Sequence, residues 1–449
     1  MHLNLDKEKT KFLIAESLRV CLPMSLIMFF EFLMGLADVY VAGRINKEIQ
    51  ASYGLAFQLY LVGLIPAISF SVGVASLLSR QFSDSKTTPK KKDFYDASFS
   101  AITLSFIFGI LVSTLGVFLY PVIINFLKIP HAINFFSKNL IRIYSFSLFF
   151  EYFFIIANAI LRSCKRIIIS LRNYTIVTIL NIILNFVLVF FTPLGYLGIA
   201  IATVISLFVG ALFSIFAMRN FLVFSKINFS HLKEIFNISW PIGLIQILWN
   251  IASVIIFTIL AKLPANNIET IAAFTNALKI ESAIFLPAFA FNMASIVLVG
   301  NFIGKKNFLD AFNIGRIIGI LGLIVVGILS FLVILNAKFI MSILSNNEVV
   351  IREGLFYLYI SLIFEPLLAW SIILNGSLSG AGYTKDILIV MIISIWLIRV
   401  PFCYILGILL KKGAFGIWMG MNMSIITQAI LITRRYLKRM QPLSIMQDK

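Results

Sequence analysis

Twelve stretches of this chain stay apolar for long enough to cross the hydrocarbon core of a bilayer, which takes a helix of about 20 residues. They run over 18–42, 51–79, 97–124, 138–161, 167–191, 194–221, 238–262, 270–302, 313–335, 354–376, 386–410 and 413–434. No water reaches the middle of a bilayer, so every backbone N–H and C=O there must be paired inside the protein. Helices satisfy that condition segment by segment, whereas a barrel would show as short alternating stretches. The chain is therefore expected to be an all-α integral membrane protein with twelve transmembrane helices. Composition agrees, since 60% of its 449 residues are hydrophobic and 12% are charged, against roughly a quarter charged in soluble domains. The polar start, mixed in charge, gives no sign of a cleavable signal peptide. No soluble domain is expected between the helices.

A net charge of +18, from 37 Lys and Arg against 19 Asp and Glu, invites a nucleic-acid reading. With the N-terminus inside the cell, however, the larger share of the basic residues falls on cytoplasmic connections, which the positive-inside rule explains. The clusters "KKK" at 90–92 and "RRYLKR" at 434–439 then read as anchors against anionic lipid. The expected setting is the cell (inner) membrane, with both termini cytoplasmic, the bilayer as partner and no nucleic acid. Cys21, Cys164 and Cys403 are scattered without a CxxC pair, and His2, His131 and His231 lie in a terminus or in connections. That pattern offers no disulfide framework, no intramembrane metal cluster and no cofactor site, so an enzyme is not expected.

The chain is written twice. "LPMSL" at 22–26 matches "WPIGL" at 240–244, which places Pro23 on Pro241. "GYLGIAIATVIS" from Gly195 matches "GAFGIWMGMNMS" from Gly413, at the same displacement that carries Pro23 onto Pro241. Between them, the segment from Ala51 matches the one from Ala272 and sets Pro66 on Pro287. Three matches in one order define a repeat of six helices. Because six is even, both halves begin on the same side, and the two bundles should be related by a pseudo-twofold axis along the membrane normal. The expected division is 1–221 for the first bundle, 222–237 for a cytoplasmic linker and 238–449 for the second bundle. Two bundles able to rock about a cavity are transporter architecture, although architecture names no substrate.

Several motifs carry a family resemblance from the first segment to the last. They are Pro23 followed by Asp38 and "VYVAGR" through Gly43 and Arg44, "NIILN" at 181–185, "GYLGIAIAT" at 195–203, "SGAGYT" at 379–384 and "RVP" at 399–401. On these the chain resembles the multidrug and toxic compound extrusion (MATE) family, prokaryotic type. The resemblance implies export of amphipathic, mostly cationic compounds in exchange for inward H+ or Na+ by alternating access. Asp38 matches the family's acidic residue in the first helix, Asn181 and Thr203 match polar residues of the fifth and sixth, and Asn185 stands where an Asp is often found. These four are the expected ion-coupling and substrate-binding residues, and they offer oxygens to H+ or Na+. Asn185 in place of Asp removes one proton carrier. The Glu that other members carry in the seventh helix is also missing, because that position is Trp249, while the acidic residue of the tenth survives as Glu365.

Residue chemistry supports the same reading. An ionisable group in a membrane segment costs about 2.5–3.5 kcal/mol and asks for a function. Glu31 lies seven residues before Asp38, on nearly the same helical face, and joins the coupling candidates. Glu281, Glu365 and Glu151 are secondary candidates. Lys279 and Arg399 read better as structural ion pairs. Pro23 interrupts a helical hydrogen bond, and bending there is the expected link to ion occupancy. A flippase for a lipid-linked saccharide, from a related superfamily, is the alternative; it would want basic residues for pyrophosphate, and the charges here are mostly acidic. A non-transporting scaffold gains nothing from the Asp38 constellation. A monomer is expected.

Overall fold

The computed structural model describes residues 7–84, 88–126, 130–219, 227–264 and 266–445. Its helices are α1 (Lys7–Ile45), α2 (Lys47–Asp84), α3 (Thr88–Phe126), α4 (His131–Ser163), α5 (Ile167–Phe190) and α6 (Leu197–Met218). The second half holds α7 (Phe229–Ala261), α8 (Asn267–Gly304), α9 (Phe308–Leu344), α10 (Glu348–Ser361) and α11 (Glu365–Gly380). Then come α12 (Thr384–Met391), α13 (Val400–Tyr404) and α14 (Gly413–Ile445). Wider π-helical turns over Ile392–Arg399 and Ile405–Leu409 join and extend α12 and α13 into one span, Thr384–Leu409. There is no strand among the described residues. Eleven spans are long and apolar enough to cross a membrane, and the bent pair α10 and α11 makes up to 12.

The expected segments and the spans agree in order, and in number once α10 and α11 are taken together, and most helices run on beyond their apolar part. The stretch 222–237, read as a linker, is helical from Phe229 onward. Asn228 supplies the reason, for its Oδ1 accepts from the Ser230 amide and satisfies one of the unpaired donors of the first turn. Residues 220–226 lie outside the described residues, as do the side chains of Lys90 and Lys91 and the whole of His2. The tenth segment is broken rather than continuous: α10 and α11 meet at 57°. Pro366 has no N–H to give to the preceding turn and disfavours helical backbone before it, so the helix stops and restarts at Glu365. Pro401 likewise falls where the regular hydrogen-bond ladder widens into π turns.

Contacts divide the chain into two compact units, Leu26–Trp240 (unit N) and Met1–Ser25 with Pro241–Lys449 (unit C). The change of unit falls within α1 and α7, two residues after Pro23 and directly before Pro241, the pair that the repeat superposes. In unit N, α4 packs on α2, α3 and α6, and α5 on α6. In unit C, α8 packs on α9 and α11, and α14 on α11. Glycines set the α8–α11 distance: a Cβ at Gly376 would run into the Asn292 carbonyl oxygen, and one at Gly380 would lie 2.5 Å from that of Ile296. Ile320, Ile324, Ile328, Phe331 and Leu335 form an exposed apolar stripe on α9 at helical spacing, suited to acyl chains.

Candidate ion-coupling site

Unit N gathers four of the predicted residues. Asn185 and Asn181 are four apart on α5 and so share a face, and that face meets α1 and α6. Asn185 donates from Nδ2 to Asp38 Oδ1 and, over 3.0 Å, to Asn181 Oδ1. Asn181 Nδ2 donates to Thr203 Oγ1 over 3.3 Å, and the Thr203 hydroxyl donates to the Ile199 carbonyl over 3.2 Å. All four are buried, Asp38 with 2% of its surface exposed. The hydroxyls of Tyr53 (α2) and Tyr144 (α4) face Asp38 and Thr203, near but outside hydrogen-bond geometry. Asn185 Oδ1 is likewise without a partner among the described residues. A buried carboxylate held by amides and edged by phenols can exchange a proton or take up a small cation.

Glu31 and Glu151 lie together elsewhere in unit N. The Tyr60 hydroxyl donates to Glu151 Oε2 over 2.9 Å. Glu31 faces Tyr174 and senses the charge of Arg162, and Glu151 senses that of Glu31. Both glutamates keep some accessible surface although protein encloses them on most sides.

Unit C holds the other two candidates. Glu281 (α8) and Glu365, at the α10–α11 break, line a cavity of about 110 Å³ together with Trp249, Tyr357, Arg399 and Asn422. Glu281 Oε1, Glu365 Oε2 and both polar atoms of the Asn422 side chain lack partners among the described residues. Arg399 donates from Nε to Ser424 Oγ over 2.8 Å and lies 4.7 Å above the Trp249 ring. The cavity suits a few waters or one small cation, whereas drug-sized ligands occupy roughly 300–1,000 Å³. The expected ion pairs are absent in direct form: the described partners of Arg399 are a hydroxyl and a ring, and Lys279 is exposed. In both places the cost of charge falls below that of a dry interior, by cation–π attraction in one and by accessibility in the other.

The model of the family described as MatE matches residues 23–187 and again 241–405, two copies that start at Pro23 and Pro241 and so reproduce the internal repeat. The chain belongs to the MatE family. It is 26% identical over 452 residues to a protein named "Probable multidrug resistance protein NorM" from Thermotoga maritima, covering 95% of this chain and 93% of that one. It is 24% identical to "Uncharacterized transporter YisQ" from Bacillus subtilis, covering 96% and 95%. A solved structure described as an outward-facing conformation of a multidrug resistance MATE family transporter of the MOP superfamily superposes with a TM-score of 0.89. Identity there is 19%, with 96% of each chain covered. MatE proteins are transporters rather than enzymes, and this one is a multi-pass membrane protein.

Asp38, Asn181, Asn185 and Thr203, the candidates read from the sequence of this MatE protein, lie together in the structure; the tyrosines around them are not among the candidates. Tyr53, Tyr60, Tyr144 and Tyr174 are lost among 14 Tyr and 44 Phe. The signal that singles them out is spacing, since 53 and 60, 144 and 151, and 174 and 181 repeat the separation of 31 and 38. A third polar cluster of unit N joins α4, α5 and α6, with Asn158 and Asn173 each donating to Ser214 Oγ over 3.2 Å. It is the interhelical glue common in membrane bundles.

Proposed function

We propose that this MatE protein is a secondary active multidrug efflux antiporter, exporting amphipathic, mostly cationic compounds in exchange for inward H+ or Na+ by alternating access. The observation that carries the reading is the buried chain Asp38–Asn185–Asn181–Thr203, drawn from three helices of unit N. A carboxylate kept in a membrane interior with amides rather than a cation as its partners is a poor structural device and a good carrier of an exchangeable ion. The names of the curated relatives support export of drugs. The carboxylates at Glu31, Glu151, Glu281 and Glu365 favour cationic cargo.

The protein acts as a monomer in the cell (inner) membrane with both termini cytoplasmic. The basic run Arg434–Arg439, at the end of α14, supports that orientation. Proteoliposomes holding the purified chain, given a gradient of H+ alone or Na+ alone, test the function. Ethidium movement that follows one of them is expected; ethidium that follows neither would refute antiport.

A further inference from the structure

We propose that unit N carries a proton path from Asp38 through Tyr53, Tyr144 and Tyr60 to Glu151 and Glu31, so that the ion exchanged for substrate is H+. The proposal rests on the antiport reading and adds to it the identity of the ion and its route.

Four helices of unit N repeat one spacing. Glu31 and Asp38 on α1, Tyr53 and Tyr60 on α2, Tyr144 and Glu151 on α4, and Tyr174 and Asn181 on α5 are each seven residues apart. Seven residues are about two turns and about 10 Å of helix, returning to nearly the same face. The side chains therefore sort into two layers. One holds Asp38, Tyr53, Tyr144 and Asn181; the other holds Glu31, Tyr60, Glu151 and Tyr174.

Contacts run within and between the layers. The Tyr60 hydroxyl donates to Glu151, and Glu151 senses the charge of Glu31. The rings of Tyr60 and Tyr144 are 5.4 Å apart, and those of Tyr144 and Tyr53 are 6.2 Å apart. Tyr53 faces Asp38, and Tyr144 and Tyr60 sense its charge. Between the ends of the path lie only phenols, each able to donate one proton and accept another. The hydroxyls of Tyr53 and Tyr144 are buried and uncommitted among the described residues, free to turn from one neighbour to the next.

A phenol oxygen takes a proton from one side as its own proton leaves on the other, then reorients. Only O–H bonds form and break, no electron is transferred, and one proton enters at Asp38 for each that leaves at Glu151 or Glu31. The Tyr60–Glu151 bond already points the phenolic proton at the carboxylate. Asp38, Tyr53 and Tyr144 are buried, while Glu31 and Glu151 keep accessible surface, so the second layer is the open end of the proposed path.

The charged and titratable groups facing the path are Glu31 and Asp38 from α1, Tyr53 and Tyr60 from α2, Tyr144, Glu151 and Arg162 from α4, and Tyr174 from α5. α6 contributes neutral Thr203.

The test uses the full chain in proteoliposomes, with ethidium as probe, an imposed pH gradient as the driving force and a trapped pH dye reporting proton release. Tyr60→Phe removes one oxygen and is expected to keep the wild-type melting temperature while slowing gradient-driven exchange at least tenfold. Glu151→Gln should do the same, Glu151→Asp should recover most of the rate, and wild-type exchange should slow about twofold in D2O. Wild-type rates from Tyr60→Phe and Glu151→Gln, beside a dead Asp38→Asn, would overturn the path and leave antiport standing. Exchange driven by Na+ alone, without proton release, would overturn H+ as the ion. Wild-type protein that responds to neither gradient would overturn antiport itself.

Discussion

Trp249 carries the guanidinium of Arg399 4.7 Å above its ring, and Trp249 stands at the step of the repeat where the first half has Glu31. One position of the repeat is thus a carboxylate in unit N and a seat for a cation in unit C. Unit N concentrates acid and phenol around Asp38, whereas unit C balances two carboxylates with a guanidinium in a cavity of about 110 Å³. The asymmetry is the reason for proposing ion coupling in unit N although both units are copies of one repeat.

The balance in unit C predicts a coupling between residues. Arg399→Gln removes the positive charge that Glu281 and Glu365 sense and the donor to Ser424, at about 1–3 kcal/mol. The melting temperature of the purified protein should fall by several degrees. Arg399→Gln combined with Glu365→Gln should recover more than half of the loss. Additive losses in that double-mutant cycle would show that the groups do not interact.

Asn185 is predicted to act on Asp38 directly. Asn185→Leu removes the donor to Asp38 and to Asn181, leaving a buried carboxylate short of a partner, at about 1–3 kcal/mol. The protein should still reach the membrane, and ethidium retention in cells should match that of cells lacking the transporter. Efflux at the wild-type rate would remove Asn185 from the site.

Close helix packing makes Gly376 a sharper structural test than most apolar positions. Any Cβ there runs into the Asn292 carbonyl oxygen, so Gly376→Val should force α8 and α11 apart and sharply lower the yield of folded protein. Gly327→Ala, whose Cβ would be 3.6 Å from Pro366, should be tolerated. Size-exclusion profiles of the two variants decide the matter.

By contrast, Glu234→Ala should change stability by less than about 1 kcal/mol, because partly exposed ion pairs contribute little and Arg80 keeps its bond to the Ser76 carbonyl. The Arg80–Glu234 pair is 3.1 Å long but partly exposed on both sides. A large drop in melting temperature would mean the pair holds more than itself.

Much of this was legible in the sequence because a bilayer leaves few choices. Twelve apolar runs had to be helices, and the internal repeat returned in the two matched copies of the family model. Asp38 and its amide partners were readable because charge and amide in a membrane segment stand out against apolar neighbours. The break at Glu365 was readable from Pro366 and hidden by an otherwise unbroken apolar run. The change of unit inside α1 and α7 was not readable, because packing partners drawn from distant parts of the chain leave no local pattern. The tyrosines around Asp38 were equally hidden, since an aromatic residue at helical spacing is as compatible with core as with function. The seven-residue spacing they share with Glu31 and Asp38 is the one trace of them in the sequence.

Exchange by Asp38→Asn in proteoliposomes is the most direct measurement. That substitution keeps the size and hydrogen-bonding shape of the side chain and removes the ability to carry an ion. With the wild type driven by a single-ion gradient, the variant should insert and melt as the wild type does yet move ethidium at least a hundredfold more slowly. Gradient-driven movement at the wild-type rate would contradict a coupling site built on Asp38.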